Sequence, residues 1–214
     1  MTLQDLIDSY RVQSGDNAGR LWCTDKDLTL YANEAQVEAC RRGQLILQSS
    51  STPLQAGDES LELASHVLRL TRANIEGSPV DTMMAADMDA CHPGWQDDQI
   101  RSKPTVLISG VDTGQLYLWP RPDRAYTLRM TAQCLPLAKL VAMTDEPEIR
   151  EELHFALVDW MLFRVYSHED SQLFNPNKSR EHEAKFIAEF GSKASGRNEE
   201  WVRSGVAAMP GPIA

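Results

Sequence analysis

The sequence has no C-x-x-C pair. Its four cysteines, Cys23, Cys40, Cys91 and Cys134, stand far apart, which removes the usual zinc-ligand and thioredoxin-like spacings and leaves free, buried thiols as the expectation. It also lacks clustered positive charge. The 21 Lys and Arg are outnumbered by 31 Asp and Glu, the formal net charge is −10, and no basic run exceeds Arg41-Arg42; a chain that grips phosphate backbones shows the opposite balance. No stretch approaches the roughly 18 apolar residues of a membrane-spanning helix. The opening MTLQDLIDSY carries Asp5 and Asp8 where a secretory signal needs positive charge and then an apolar run, so the expectation is a cytosolic protein in a reducing compartment. G-x-S-x-G, a phosphate-cradling glycine loop, H-E-x-x-H and a dinucleotide fingerprint are all missing. An enzyme with dispersed catalytic residues is therefore a distant reading, and neither a cofactor nor a metal site is expected.

What is present is material for packing. A length of 214 residues with 42% hydrophobic content suits one large domain or two small ones, able to bury roughly 70% of the unfolded chain's surface. The most informative stretch runs from Asp145 to Gly191 and reads as a helical hairpin. Between Phe155 and Val165 only Asp159 and Arg164 are polar, so the first helix must be enclosed by other elements or other subunits. The second, Asn177 to Phe190, shows a narrow apolar stripe of Ala184, Phe186, Ile187 and Phe190 on a charged helix. Asn175 suits its N-cap, Pro176 the first helical position and Gly191 the left-handed C-terminal position.

At the other end, Leu3, Leu6, Ile7 and Tyr10 recur at helical spacing over Leu3 to Val12, and a turn-rich SGDNAG follows. A second helix is expected from Thr24, whose hydroxyl can cap amides near Asp27, to about Arg42. Its alanines, Ala32, Ala35 and Ala39, permit close helix contact. After Ser49 a polar link, SSSTPLQAGDES, leads into segments with a period nearer two. Val67 to Ala73, Thr105 to Val111, Gln115 to Pro120 and Tyr126 to Leu135 read as strands of a meander, and Met83 to Lys103 reads as a long aperiodic excursion between them.

Candidate chemistry is sparse. Asp87, Asp89, Cys91 and His92 lie within six residues of one another, but their spacing matches no zinc or calcium loop and His-Pro is a common turn pair. His154 with Glu151 and Asp159 suggests acid-base work, but Glu151 and His154 share a helix face simply by lying three apart and read as a surface pair. Strand alternation sets Leu116 and Leu118 opposite Tyr117 and Trp119, so one pair is expected to meet a neighbouring subunit or lie under a loop. The final residues, rich in Gly, Ala, Ser and Pro, still carry Trp201, Val202, Arg203, Val206 and Met209. They form either a terminus that packs Trp201 back on its own domain or an arm that orders on a partner.

Three blocks in order carry a family resemblance. The first holds Trp22, Thr24, Asp25, Leu28, Tyr31, Asn33, Glu34, Ala35, Gln36, Glu38 and Ala39. The second is Leu116 to Pro122. The third holds Glu146, Pro147, Ile149, His154, Leu157, Asp159, Trp160, Met161, Leu162, Asp170, Asn175, Pro176, Phe186, Phe190 and Gly191. Spanning about residues 22 to 191, they resemble the head-to-tail adaptor (connector) proteins of tailed bacteriophages.

That resemblance implies an α+β fold: a helical bundle of N- and C-terminal helices, an inserted antiparallel β-rich subdomain and an extended C-terminal arm. The expected divisions are 1–50, 51–143, 144–191 and 192–214. It further implies a non-enzymatic virion protein made in the host cytoplasm, a homo-oligomeric ring of about twelve subunits that joins the portal to tail or neck proteins. DNA would pass through such a ring without specific binding, and no membrane is involved. The segment around Trp201 to Met209 would dock on the portal, with Tyr117 and Trp119 as possible subunit or neighbour contacts. A tail terminator or stopper, also a ring but mainly β, is the nearest rival reading.

Overall fold

Thr2 and Thr24 start the first two helices by the same device. Each threonine hydroxyl accepts the backbone N–H of the residue three positions on, Asp5 at 3.2 Å and Asp27 at 3.3 Å. Each aspartate in turn accepts the threonine's own N–H, at 2.8 and 3.0 Å. These reciprocal boxes satisfy amides that the first helical turn leaves without partners. They open α1, Leu3–Ser14, and α2, Asp25–Gly43. Gln44 closes α2 in the left-handed region (φ 51°) and donates its N–H to the Cys40 carbonyl.

The computed structural model describes residues 1–16, 23–169 and 171–193. These residues form two compact units, Met1–Ile46 with Leu135–Lys193, and Leu47–Cys134. The fold is α+β, with helices concentrated in the first unit and two sheets in the second. Among the described residues no helix is long and apolar enough to cross a membrane.

In the helical unit, α4, His154–Tyr166, follows a single 3-10 turn at Glu151–Leu153 and precedes α5, Pro176–Phe190. Helix α4 buries Leu157, Val158, Trp160, Met161, Leu162, Val165 and Tyr166, and packs against α1, α2 and α5. Leu6, Tyr10, Leu28 and Ala35 complete the same core with Phe186 and Phe190. Phe155 remains 57% exposed.

The expected stripe on α5 needs correction. Asn175 caps as predicted, accepting the N–H groups of Asn177 and Lys178 at 3.1 Å. The face that turns inward, however, is Ser179, His182, Phe186 and Phe190, while Ala184 and Ile187 are exposed. Steps of three, four and four residues follow the helical period from Ser179 to Phe190, whereas Ala184 and Ile187 lie off that line.

The second unit holds two four-stranded sheets. The first runs β1-β8-β3-β4, made of β1 (Ile46–Leu54), β3 (Val67–Ile75), β4 (Ser78–Pro79) and β8 (Tyr126–Cys134). The second runs β2-β7-β6-β5, made of β2 (Ser60–Glu62), β5 (Asp81–Met84), β6 (Val106–Ser109) and β7 (Gln115–Trp119). Both contribute to one apolar layer, with Ala73, Ile75, Leu128 and Met130 from the first and Leu61, Leu107, Leu116 and Leu118 from the second.

Two expectations fail here. The first half of the polar link after Ser49 is strand β1, an edge strand whose serines and threonines are mostly exposed, so it shows no apolar alternation. The excursion from Met83 to Lys103 contains the end of β5, helix α3 (Ala85–Cys91) and a 3-10 turn at Trp95–Asp97. Because α3 carries the chain back over the sheet, β5 pairs parallel to β6 and the sheet is not a pure meander.

Candidate functional site

The helical unit holds its loop Leu135–Ile149 by polar side chains of α2. Asn33 donates its amide N–H to the Leu140 carbonyl at 2.9 Å and accepts the Leu140 N–H at 2.8 Å. Gln36, fully buried, accepts the Glu148 N–H at 2.7 Å, and Glu148 in turn accepts the Ala138 N–H at 2.6 Å. Asp145 accepts the N–H groups of Val141 and Ala142, each at 2.8 Å, which holds its carboxyl below the usual range. The backbone of α1 joins in: Leu3 and Gln4 donate to the Asp145 and Met143 carbonyls. This pinned strap leaves Leu137, Val141 and Met143 exposed. Apolar side chains on a fixed backbone need little ordering to meet a partner.

A second joint ties α2 to the hairpin. Glu38 pairs with Arg41 at 2.6 Å and with Arg42 at 3.4 Å. The Arg42 guanidinium lies 5.1 Å from the ring centres of both Trp160 and Phe186, and donates to the Gly191 carbonyl beyond α5 at 3.5 Å. One buried cation thus meets a carboxylate, two ring faces and a helix end, each of which favours positive charge.

The sequence candidates take structural roles. His154 is not a surface neighbour of Glu151: it is buried, and its Nε2 donates to the Ile149 carbonyl at 2.8 Å. Asp159 pairs across the hairpin with His182 Nδ1 at 2.7 Å, and the His182 ring stacks on Tyr166. Asp89 accepts the Trp95 indole N–H at 2.8 Å, and His92 packs on Trp119 with ring centres 4.5 Å apart. Cys23, Cys40 and Cys134 are buried, but Cys91 is exposed, against the expectation of four buried thiols.

Leu116 and Leu118 form the pair that enters the core between the sheets. Tyr117 and Trp119 lie half-buried on the other face of their sheet, in a cluster with Met88, Trp95 and Ile108. Trp95 meets Tyr117 edge-on at 6.0 Å, so the covering layer comes from the Met83–Lys103 segment. Trp201, Val202, Arg203, Val206 and Met209 lie outside the described residues.

Asn33 and Gln36 stand in the first block of the resemblance, but nothing in the sequence assigns them the role of loop brackets. Their signal is two amides three apart on the alanine-lined side of α2, where a polar group persists only with a partner.

A family model described as SU10 adaptor protein matches residues 1–209. No curated protein matches the chain.

Proposed function

The chain belongs to the SU10 adaptor protein family, which makes it a bacteriophage structural adaptor of the neck, and we propose that it forms the ring joining the capsid portal to the tail. The carrying observation is the family match across nearly the whole chain. In this reading about twelve subunits, the number implied by the resemblance, close into a ring that continues the DNA channel.

Charge supports this role. Each copy carries a formal charge of −10, and a ring of like charge with DNA lets the duplex slide without adhesion. The strap with Leu137, Val141 and Met143 supplies apolar surface for a subunit or portal contact. The α-helical unit favours an adaptor over a mainly β terminator or stopper. The arm carrying Trp201, Val202, Arg203, Val206 and Met209 is the proposed portal anchor.

Electron microscopy of purified portal rings mixed with the full chain tests the reading. The expected result is an added ring of density on the tail-facing side of the portal; portals that remain bare at saturating chain concentration overturn it.

A further inference from the structure

The β unit carries opposite charge on its two broad faces. Along β8, Tyr126, Leu128, Met130 and Ala132 point into the core, so Arg129, Thr131 and Gln133 occupy the outer face. On neighbouring β3, Arg69 is registered opposite Gln133, Arg72 opposite Thr131, and Asn74 opposite Arg129. Directly opposed residues share a face, which places Arg69, Arg72 and Arg129 together. Ser49 of β1 reaches the Thr131 hydroxyl at 3.2 Å, so alternation puts Leu47, 63% exposed, on this face as well. Among the described residues, none of these three arginines has a carboxylate partner. Glu76, four residues after Arg72, is engaged by Arg124 at 3.3 Å and Lys103 at 3.8 Å.

The opposite side of the unit is the α3 layer over β5 and β6. It presents Asp81, Asp87 and Asp97, all exposed, and among the described residues no ion pair is formed by any of them. Asp81 lies two residues before Met83, which packs under α3, so it belongs to that side. An unpaired basic sheet face and an unpaired acidic layer therefore sit on opposite sides of one small unit.

We propose that the β unit docks head to tail on a second copy of this chain, the arginine face of one copy meeting the aspartate layer of the next. This deepens the ring reading and rests on it. A contact between two different patches of identical chains propagates in one rotational sense and closes into a ring when the rotation permits. Arginine suits the task because its fork engages carboxylates in two-pronged pairs. Leu47 adds an apolar point on the edge strand beside the arginines. A second copy fits better than duplex DNA, since the chain is acidic as a whole and this face offers three guanidinium groups rather than a basic track.

A charge swap on the full chain tests the inference. Arg72→Glu with Arg129→Glu makes both faces acidic, and Asp87→Lys with Asp97→Lys makes both basic. In sedimentation at low salt, the unaltered chain is expected to self-associate. Each double variant alone should associate about tenfold or more weakly, with an unchanged circular dichroism spectrum. An equimolar mixture of the two restores both contacts and should recover association. Failure of the mixture to recover it overturns the inference, as does undiminished association of either variant alone or a wild-type chain that never associates. Duplex DNA retention lost only in the arginine variant, with self-association intact, overturns it in favour of DNA. Rings of Arg72→Glu/Arg129→Glu chain on the portal equal to those of wild type sink the face contact and leave the ring reading standing; no wild-type ring sinks the ring reading itself.

Discussion

Asn33 holds Leu140 from both sides of its peptide, donating to the carbonyl at 2.9 Å and accepting the N–H at 2.8 Å across 107 positions of sequence. A single side-chain amide here replaces the pairing that a strand neighbour would give. Leu140 itself is buried, so neither backbone group has ready access to water.

Replacing Asn33 should therefore leave two backbone groups without partners. We expect Asn33→Ala to cost about 1–3 kcal/mol, read by urea unfolding. Asn33→Leu, which keeps the volume, should cost as much; a loss seen only with alanine would mean that packing and not hydrogen bonding is at stake.

The Glu38–Arg42 joint predicts a non-additive pair. Their side chains are 9% and 4% exposed, and removing one partner from a buried pair typically costs about 3–5 kcal/mol. Some exposure at Glu38 places Glu38→Ala near the lower end of that range. With Arg42→Met added, the total loss should fall below the sum of the single losses, because neither Glu38 nor Arg42 is then left buried without the other, while Arg41, which is more exposed, loses Glu38 in both the single and the double variant. Strict additivity in a double-mutant cycle would show that the two side chains do not interact.

Much of this helical unit was legible in the sequence, and the reasons are local. Thr24, Asn175 and Pro176 act within one helical turn, so their pattern shows without knowledge of the fold; Gly191 does end α5 at a positive φ of 91°, but its ψ of 170° lies outside the left-handed helical position expected of it. The inward turn of Ser179 and His182 was not legible, since it depends on Phe163 and Asp159 of another helix. Helix α3 is too short for a period to show, having Met88 as its buried residue. Strand β1 is an exposed edge whose place is set by pairing with β8 rather than by apolar alternation. The arginine face emerges only once register fixes which residues of β3 oppose β8.

Acid should weaken the helix starts. Asp27 is held below its ordinary value of 3.8, first by the Thr24 hydroxyl and then by the Thr24 N–H, and Asp5 is lowered by the Thr2 N–H and hydroxyl. A carboxyl lowered in the folded state adds stability that is present above 3.8 and lost as pH falls through the folded value. Titration by NMR should show both aspartates protonating below the ordinary value. In Thr24→Ala the Asp27 midpoint should rise toward it while Asp5 stays put; an unmoved Asp27 would mean that the capping box does not stabilise its charge.

Thiol reactivity should single out Cys91. It is exposed on α3, whereas Cys23, Cys40 and Cys134 are buried and burial pushes the Cys40 thiol up to about 12. The thiolate is the reactive form, so at pH 8 a maleimide should label Cys91 first and Cys40 only after unfolding. Peptide mapping after a short pulse checks this, and early label on Cys40 would show that α2 opens readily.

The proposed portal anchor makes its own demand on the C-terminus. Gly191 ends α5, donating its N–H to the Ile187 carbonyl, and its carbonyl accepts from Arg42, so the helical unit is closed at that point. The core residues Phe186 and Phe190 lie before it. A chain cut after Gly191 should therefore keep its helical signal and lose little in unfolding midpoint. If Trp201, Val202, Arg203, Val206 and Met209 form the portal anchor, the same cut should abolish co-sedimentation with portal rings. Trp201→Ala should weaken it substantially, because a tryptophan seated in a partner pocket commonly contributes about 2 kcal/mol or more. A truncated chain that binds portal as well as the full chain would sink the anchor while leaving the ring reading open. A truncated chain that unfolds would instead show that the segment packs back on its own domain.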